Sequence, residues 1–273
     1  MTPSTIAHVG PSRLSPVFEK CREQGRAALI GYLPVGYPTV AASIDSFTTM
    51  VEAGCDIIEV GVPYSDPVMD GPTIQEAADL ALTNGVRVRD VFTAVRAITD
   101  AGGQAVVMSY WNPILQYGVE RFAHDLADAG GAGLITPNLI PEEGQAWHAA
   151  SDEYGLDRIY LVAPSSTPER LALTIDSCRG FVYAASTMGV TGARTTVSNA
   201  APELCARVRE YSDIPIGVGL GVRSGEQAAE IASYADGVIV GSALVSAAAQ
   251  SPGALHALVS ELADGVAHPT PPR

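Results

Sequence analysis

Basic residues are scarce in this chain. Lysine plus arginine number 16 against 30 aspartates and glutamates, for a formal net charge of −14. A chain this acidic lacks the bulk charge to grip nucleic acid or an anionic membrane, so neither is expected as a partner. A small anionic substrate stays open, because backbone N–H groups can hold a phosphate. Cysteine is scarce as well: Cys21, Cys55, Cys178 and Cys205 lie far apart and form no C-x-x-C. That argues against a disulfide scaffold or a cysteine zinc site, and for reduced, buried thiols in the cytoplasm. The five histidines show no H-x-H or H-E-x-x-H spacing, so no metal centre is expected. No apolar run reaches the roughly 18 residues that a membrane span needs. The start, MTPSTIAHVGPSR, has no apolar core, so no secretory signal is expected.

What is present is a large apolar fraction. Of 273 residues, 47% are hydrophobic and 17% charged, enough to bury a sizeable core. Length alone allows one large α/β domain or two small ones. No compositional break divides the chain, so a single domain over 1–273 is expected. Its Pro-rich ends, about 1–13 and 267–273, are expected to fray.

Short apolar runs alternate with amphipathic stretches. The runs are 28–33, 56–62, 104–109, 133–136, 158–162, 181–184, 214–218 and 237–240. They are nearly continuous in apolar character, as strands buried on both faces should be. Between them, Ile44, Phe47, Met50 and Val51 repeat at helical spacing, and so do Val91, Phe92, Val95 and Ile98. Thr73 with Glu76, and Ser224 with Gln227, have capping-box spacing. Thr167-Pro168 reads as N-cap then first turn, and Gly54, Gly102 and Gly130 as helix stops. Eight strands alternating with helices in about 250 residues match a (β/α)₈ barrel. A doubly wound open sheet usually has fewer strands, and the first βα turn carries no G-x-G-x-x-G. In a barrel, function gathers where the strands end, so the polar residues there are the informative ones.

Three segments stand out. In IIEVGVPYSDPVMDGPTIQ (57–75), Glu59 interrupts an apolar strand. A buried carboxyl there is costly unless paired or put to work, and desolvation raises its pKa toward that of a proton shuttle. Asp66 and Asp70 follow in a Pro/Gly loop. Both fit a turn role, but Asp70, just ahead of Gly71-Pro72, can project into the barrel mouth. In FVYAASTMGVTGAR (181–194), glycines flank Val190-Thr191 and read either as hinges of a lid or as an ordinary loop. In IPIGVGLGVRSGEQ (214–227) and ADGVIVGSALV (235–245), glycine-rich turns follow the last two strands. Barrels often bind phosphate there, at a helix N-terminus.

These motifs resemble the tryptophan synthase alpha subunit family. EVGVPYSDPVMDGPTIQ, YAASTMGVTGAR, VGLGVRSGEQ and VGSALV carry the likeness, with GYLPVGYP (31–38) and MSYWNP (108–113) adding to it. Order and spacing hold from about residue 15 to 265. The resemblance implies an α/β fold, a (β/α)₈ TIM barrel with an extra N-terminal helix. It implies a lyase of tryptophan biosynthesis that splits indole-3-glycerol phosphate into indole and glyceraldehyde 3-phosphate by a retro-aldol step. No cofactor is implied in this chain. The partner implied is a beta subunit carrying pyridoxal phosphate, in an α₂β₂ complex. Residue by residue, Glu59 matches the catalytic acid/base and Asp70 the acid at the indole N–H. Tyr183 lines the site, and Thr191 sits in the lid and meets Asp70 on closure. Tyr32 and Tyr110 match the indole pocket or its rim. Gly192, Gly221, Gly241 and Ser242 match phosphate contacts.

The chain departs from the family pattern at a few positions. Asn138 stands where an aspartate is usual, Met69 where a small residue is common, and Thr187 and Met188 differ within the lid. Two other readings compete. One is another phosphate-binding barrel, such as indole-glycerol-phosphate synthase or a phosphoribosyl isomerase. The other is an inactive barrel that only binds and activates a partner. The retained Glu59 and Asp70 speak against both.

Overall fold

The computed structural model describes residues 11–185, 200–219 and 221–270. The expected apolar runs appear as β1 (Ala28–Pro34), β2 (Ile57–Gly61), β3 (Gln104–Met108), β4 (Gly133–Ile135), β5 (Asp157–Ile159), β6 (Leu161–Val162), β7 (Val182–Ala185), β8 (Ile216–Gly219) and β9 (Gly237–Val240). Every pairing is parallel. The order β5-β4-β3-β2-β1-β9-β8-β7-β6 runs round to the two halves of one stave. The run 158–162 is thus split at Tyr160. Below the break β5 pairs with β4, and above it β6 pairs with β7. Tyr160 itself bridges the change by accepting the Tyr183 N–H at 3.1 Å. Eight staves of a barrel result, with the helices around them.

Those helices are α1 (Ser15–Glu23), α2 (Val40–Glu52), α3 (Pro72–Thr83), α4 (Val88–Asp100), α5 (Trp111–Tyr117), α6 (Val119–Asp128), α7 (Gln145–Glu153), α8 (Pro168–Ser177), α9 (Ala200–Arg209), α10 (Gly225–Ala232), α11 (Ser242–Gln250) and α12 (Pro252–Ala267). Side-chain hydroxyls cap four of them: Thr39 for α2, Thr167 for α8, Ser224 for α10 and Ser251 for α12. Gly54, Gly102 and Gly130 follow helix ends with positive φ, as helix stops should. Thr73 is not a cap. Pro72 occupies the first turn of α3 and Gly71 the N-cap, because the proline ring is preset for a helix start.

Alternation along the strands divides the core in two. Ile30, Ile57, Val106, Ile135, Ile159, Phe181 and Ile239 fill the barrel. Leu29, Ile58, Val60, Val107, Leu134, Val182 and Val240 face the helices. Burial on both faces explains the unbroken apolar runs. The N-terminal helix closes one end: Leu14, Phe18 and Cys21 join the inner cluster, with the Phe18 and Phe181 rings 5.8 Å apart.

Polar residues tie this plug down. Ser12 and Arg13 fall within the segment expected to fray. Yet Ser12 Oγ and the Leu14 N–H both donate to Asp157 Oδ2, at 2.8 and 3.0 Å. Arg13 donates to the carbonyls of Gly131, Tyr154 and Gly155, which follow α6 and α7. Asp157, fully buried, also receives Arg179 Nε at 3.1 Å. Beside it the buried Arg158 reaches Ser151 Oγ and Asp152.

Candidate active site

The opposite end, where the strands finish, holds the polar residues that the sequence singles out. Glu59 follows Ile57 on the inward side of β2, in register with Tyr32 of β1 and Val106 of β3. It is 1% exposed, and its Oε2 has no hydrogen-bond partner among the described residues. Burial, and then the nearby Asp70 charge, push its carboxyl up to about 8. At neutral pH it therefore holds a proton that it can give up.

Asp70 sits in the loop between β2 and α3. Its N–H donates to the Pro67 carbonyl, and its own carbonyl accepts Gln75 Nε2 at 2.8 Å. Burial raises its carboxyl to about 6, and a hydrogen bond from Tyr110 opposes the rise. Asp66 behaves as the turn residue it resembles: its carbonyl accepts the Val68 N–H and its carboxylate the Ser65 hydroxyl.

Three tyrosines surround the two carboxyls. Tyr32 and Tyr183 are held well above the usual phenol range, first by burial and then by the charges of both Glu59 and Asp70. Tyr110 is pushed up to about 12 by burial and by Asp70. Tyr32 stands opposite Glu59 in the β1–β2 register and Tyr110 Oη meets the Asp70 loop at Met69, so these groups gather at the mouth of the barrel. Two glycines make room for the rings. A Cβ on Gly61 would strike the Tyr32 ring, and one on Gly219 would come within 2.6 Å of Tyr183 Oη.

The anion-ready groups lie on the neighbouring strands. Gly221, after β8, has φ +67°, a conformation that favours glycine. Gly241 follows β9 as the N-cap of α11, and Ser242 opens that helix. The N-cap Gly241 has no side chain to cap α11, and a helix start of this kind favours an anion. The start of α10 is provided for differently. Ser224 and Gln227 bond to local backbone N–H groups, and Glu261 Oε1 accepts the Gly225 N–H at 2.7 Å.

The structure thus brings together Glu59, Asp70, Tyr32, Tyr110 and Tyr183, and places Gly221, Gly241 and Ser242 on the loops of β8 and β9. Thr191 and Gly192, with Thr187 and Met188, lie outside the described residues. No cluster of three metal-ligating side chains occurs among the described residues. The Asn138 departure has a local explanation: its Oδ1 accepts the Trp111 N–H at the start of α5, at 2.9 Å. An amide oxygen does this without charge. Sequence reasoning missed Tyr64, whose ring lies 5.3 Å from that of Tyr110 and whose hydroxyl receives Asn112 Nδ2. It also missed Gln75 and Glu261. Tyr64, Gln75 and Asn112 stand inside the quoted motifs, which was the available signal. Glu261 is 36 residues from Gly225 and had none.

Comparison with known proteins agrees with this geometry. The family model described as tryptophan synthase alpha chain matches residues 18–266. The tryptophan synthase alpha chain of Mycobacteroides abscessus is 72% identical over 94% of this chain and 98% of its own. That of Mycobacterium marinum is 69% identical over 96% and 97%. Among solved structures, tryptophan synthase from Mycobacterium tuberculosis superposes with a TM-score of 0.92 at 68% identity, over 94% of this chain and 99% of that one. The alpha subunit from Legionella pneumophila gives a TM-score of 0.83 at 31% identity, over 94% and 99%. The chain belongs to the tryptophan synthase alpha chain family, a TIM-barrel lyase that cleaves indole-3-glycerol phosphate to indole and glyceraldehyde 3-phosphate.

Proposed function

We propose that Glu59 moves the protons in this cleavage and that Asp70 balances the charge on the indole ring. The observation that carries this reading is a buried carboxyl beside a half-buried one, both raised in pKa, at a barrel mouth that also holds Tyr32, Tyr110 and Tyr183. Breaking the bond between the ring and the glycerol chain requires a proton on indole C3 and the loss of a hydroxyl proton from the adjacent carbon. Glu59, neutral at the outset and free at Oε2, delivers the first and accepts the second. As C3 is protonated, positive charge develops at the ring nitrogen. Asp70 accepts the ring N–H and stabilises that charge. The bonding electrons return to the ring, and indole and the aldehyde separate.

The phosphate is assigned to Gly192, Gly221, Gly241 and Ser242. The uncapped start of α11 supports this, since backbone N–H groups and the helix dipole favour an anion there. Holding the far end of the substrate orients the scissile bond over Glu59. Thr191 is assigned to a lid that meets Asp70.

The partner is a beta subunit in an α₂β₂ complex, where pyridoxal phosphate serves the condensation of indole with serine. Exposed apolar side chains at the barrel mouth support this. Val68 after β2, Leu115 on α5 after β3, and Ile140 after β4 follow three successive staves, and Val68 is 73% exposed. Neighbouring exposed apolar residues suit a protein interface. The cytoplasm is the compartment assigned, since four buried cysteines are unpaired and stay reduced there.

The test is indole released from indole-3-glycerol phosphate by the Glu59→Gln protein. The amide keeps the shape and removes proton exchange. Turnover should vanish while substrate still binds. Release within a few-fold of the unaltered protein would end the assignment.

A further inference from the structure

We propose that Tyr110 is a positioning residue, whose hydroxyl reaches from the end of β3 to hold both the backbone at Met69 and the carboxylate of Asp70. The inference rests on the reading that Asp70 acts at the indole N–H. It differs from the indole-pocket role that the family resemblance gives this tyrosine.

The geometry is specific. Tyr110 is 5% exposed, and its Oη accepts the Met69 N–H at 2.9 Å. A phenol has one proton to give, and an ionised carboxylate only accepts. With the Met69 N–H already accepted, the Tyr110 proton is left to donate, and the nearby Asp70 carboxylate, which Tyr110 holds down against burial, is its acceptor in this proposal. One hydroxyl thus joins two successive residues of the β2–α3 loop to a different stave.

The tyrosine is itself braced. Its neighbour Trp111 is fixed through Asn138, its ring lies against Tyr64, and Asn112 holds the Tyr64 hydroxyl. Gln75 and the turn at Pro67 also hold the loop near Asp70. Without the Tyr110 hydroxyl, the loop would lose its tie to β3 at Met69 and Asp70 a charge-assisted bond.

The groups facing Asp70 are Glu59 on β2, Tyr32 on β1, Tyr183 on β7 and Tyr110. The tyrosines stay protonated through the working range. Glu59, raised to about 8, is still neutral where Asp70 titrates near 6. The acid limb of the rate profile therefore reports on Asp70.

Tyr110→Phe keeps the ring and removes the hydroxyl. Its kcat should fall about tenfold at neutral pH, the scale of losing a hydrogen bond to a charged group. KM for indole-3-glycerol phosphate should change little. Asp70 loses a bond to its charged form, so the acid limb moves to higher pH and the deficit shrinks as pH rises. In an Asp70→Asn background the same substitution should cost nothing further. A Tyr110→Phe protein with raised KM, unchanged kcat and an unmoved profile would make the residue a pocket wall and overturn the proposal. So would full additivity with Asp70→Asn. A near-normal rate for Asp70→Asn alone would instead remove the reading beneath it, and that result is distinct from either.

Discussion

The two ends of the barrel both bury carboxyls, and they treat them in opposite ways. At the end closed by α1, Asp157 receives Arg179, Ser12 and the Leu14 N–H. At the open end, Glu59 has an oxygen with no described partner, and Asp70 has a phenol rather than a cation. A buried carboxylate surrounded by donors is a structural joint. A buried carboxyl short of donors is destabilising unless it has a task; burial raises the carboxyl at both ends, but only at Asp157 do Ser12, the Leu14 N–H and Arg179 all oppose the rise. The residue type is the same, and the neighbours decide between architecture and chemistry.

The comparison is most strongly tested by Glu59→Gln. Its rate should fall by at least about a hundredfold, since general acid–base steps contribute on the order of 10²–10⁴. Its stability should rise. Glu59 is raised from 4.5 to about 8 in the folded protein, so the folded state holds the proton more tightly than the unfolded chain. Wild-type stability therefore falls as pH climbs from about 4.5 to about 8, and the amide escapes that fall. Melting temperatures of the two proteins should diverge between pH 5 and pH 9, the variant lying higher. Parallel curves would mean that Glu59 is not strained.

Asp157→Asn should do the reverse. The substitution removes the nearer carboxylate beside the buried Arg179, with Asp152 3.8 Å away, and should cost about 3 kcal/mol of stability by denaturant titration. Indole release per folded molecule should be preserved. A stable but inactive Asp157→Asn protein would break the division between the ends.

Gly241→Asp probes the open end from the phosphate side. A Cβ there meets only ordinary contacts, so the fold should survive. A carboxylate at the start of α11 should weaken glycerol phosphate binding by on the order of tenfold or more, measured by calorimetry. Unchanged affinity would move the phosphate elsewhere. The smallest effect is expected for Ser224→Ala, which removes the α10 cap and should cost about 1 kcal/mol. A larger loss would show that Glu261 and Gln227 do not share the work of holding that helix start.

Much of the barrel was legible because strands buried on both faces leave unbroken apolar runs, and glycines mark where helices stop. Glu59 was legible for the same reason, as a charge where the pattern allows none. The break at Tyr160 was not, because 158–162 reads as one continuous run and the change of pairing partner leaves no local trace. The capping-box spacing at Thr73 misled because Pro72 opens the helix and puts the N-cap two residues earlier, at Gly71. Tyr110 was visible as a mouth residue, but its bond to Met69 spans 41 positions. The joint at Asp157 was invisible for the same reason, its partners lying 22 to 145 residues away.

That last distance bears on synthesis. The anchors of the α1 plug, at Gly131, Tyr154, Gly155 and Asp157, are made more than a hundred residues after it. At about 5–20 residues per second, the ribosome leaves the plug without its seat for roughly 6–30 s. During that interval Leu14 and Phe18 have no barrel interior to enter, and the first staves have no stopper. Ribosome-stalled chains ending short of the Asp157 segment should therefore be cut readily by protease between residues 11 and 23. Chains long enough to expose β9 outside the tunnel should resist, and protection before that length would show that the plug seats on something other than the finished barrel.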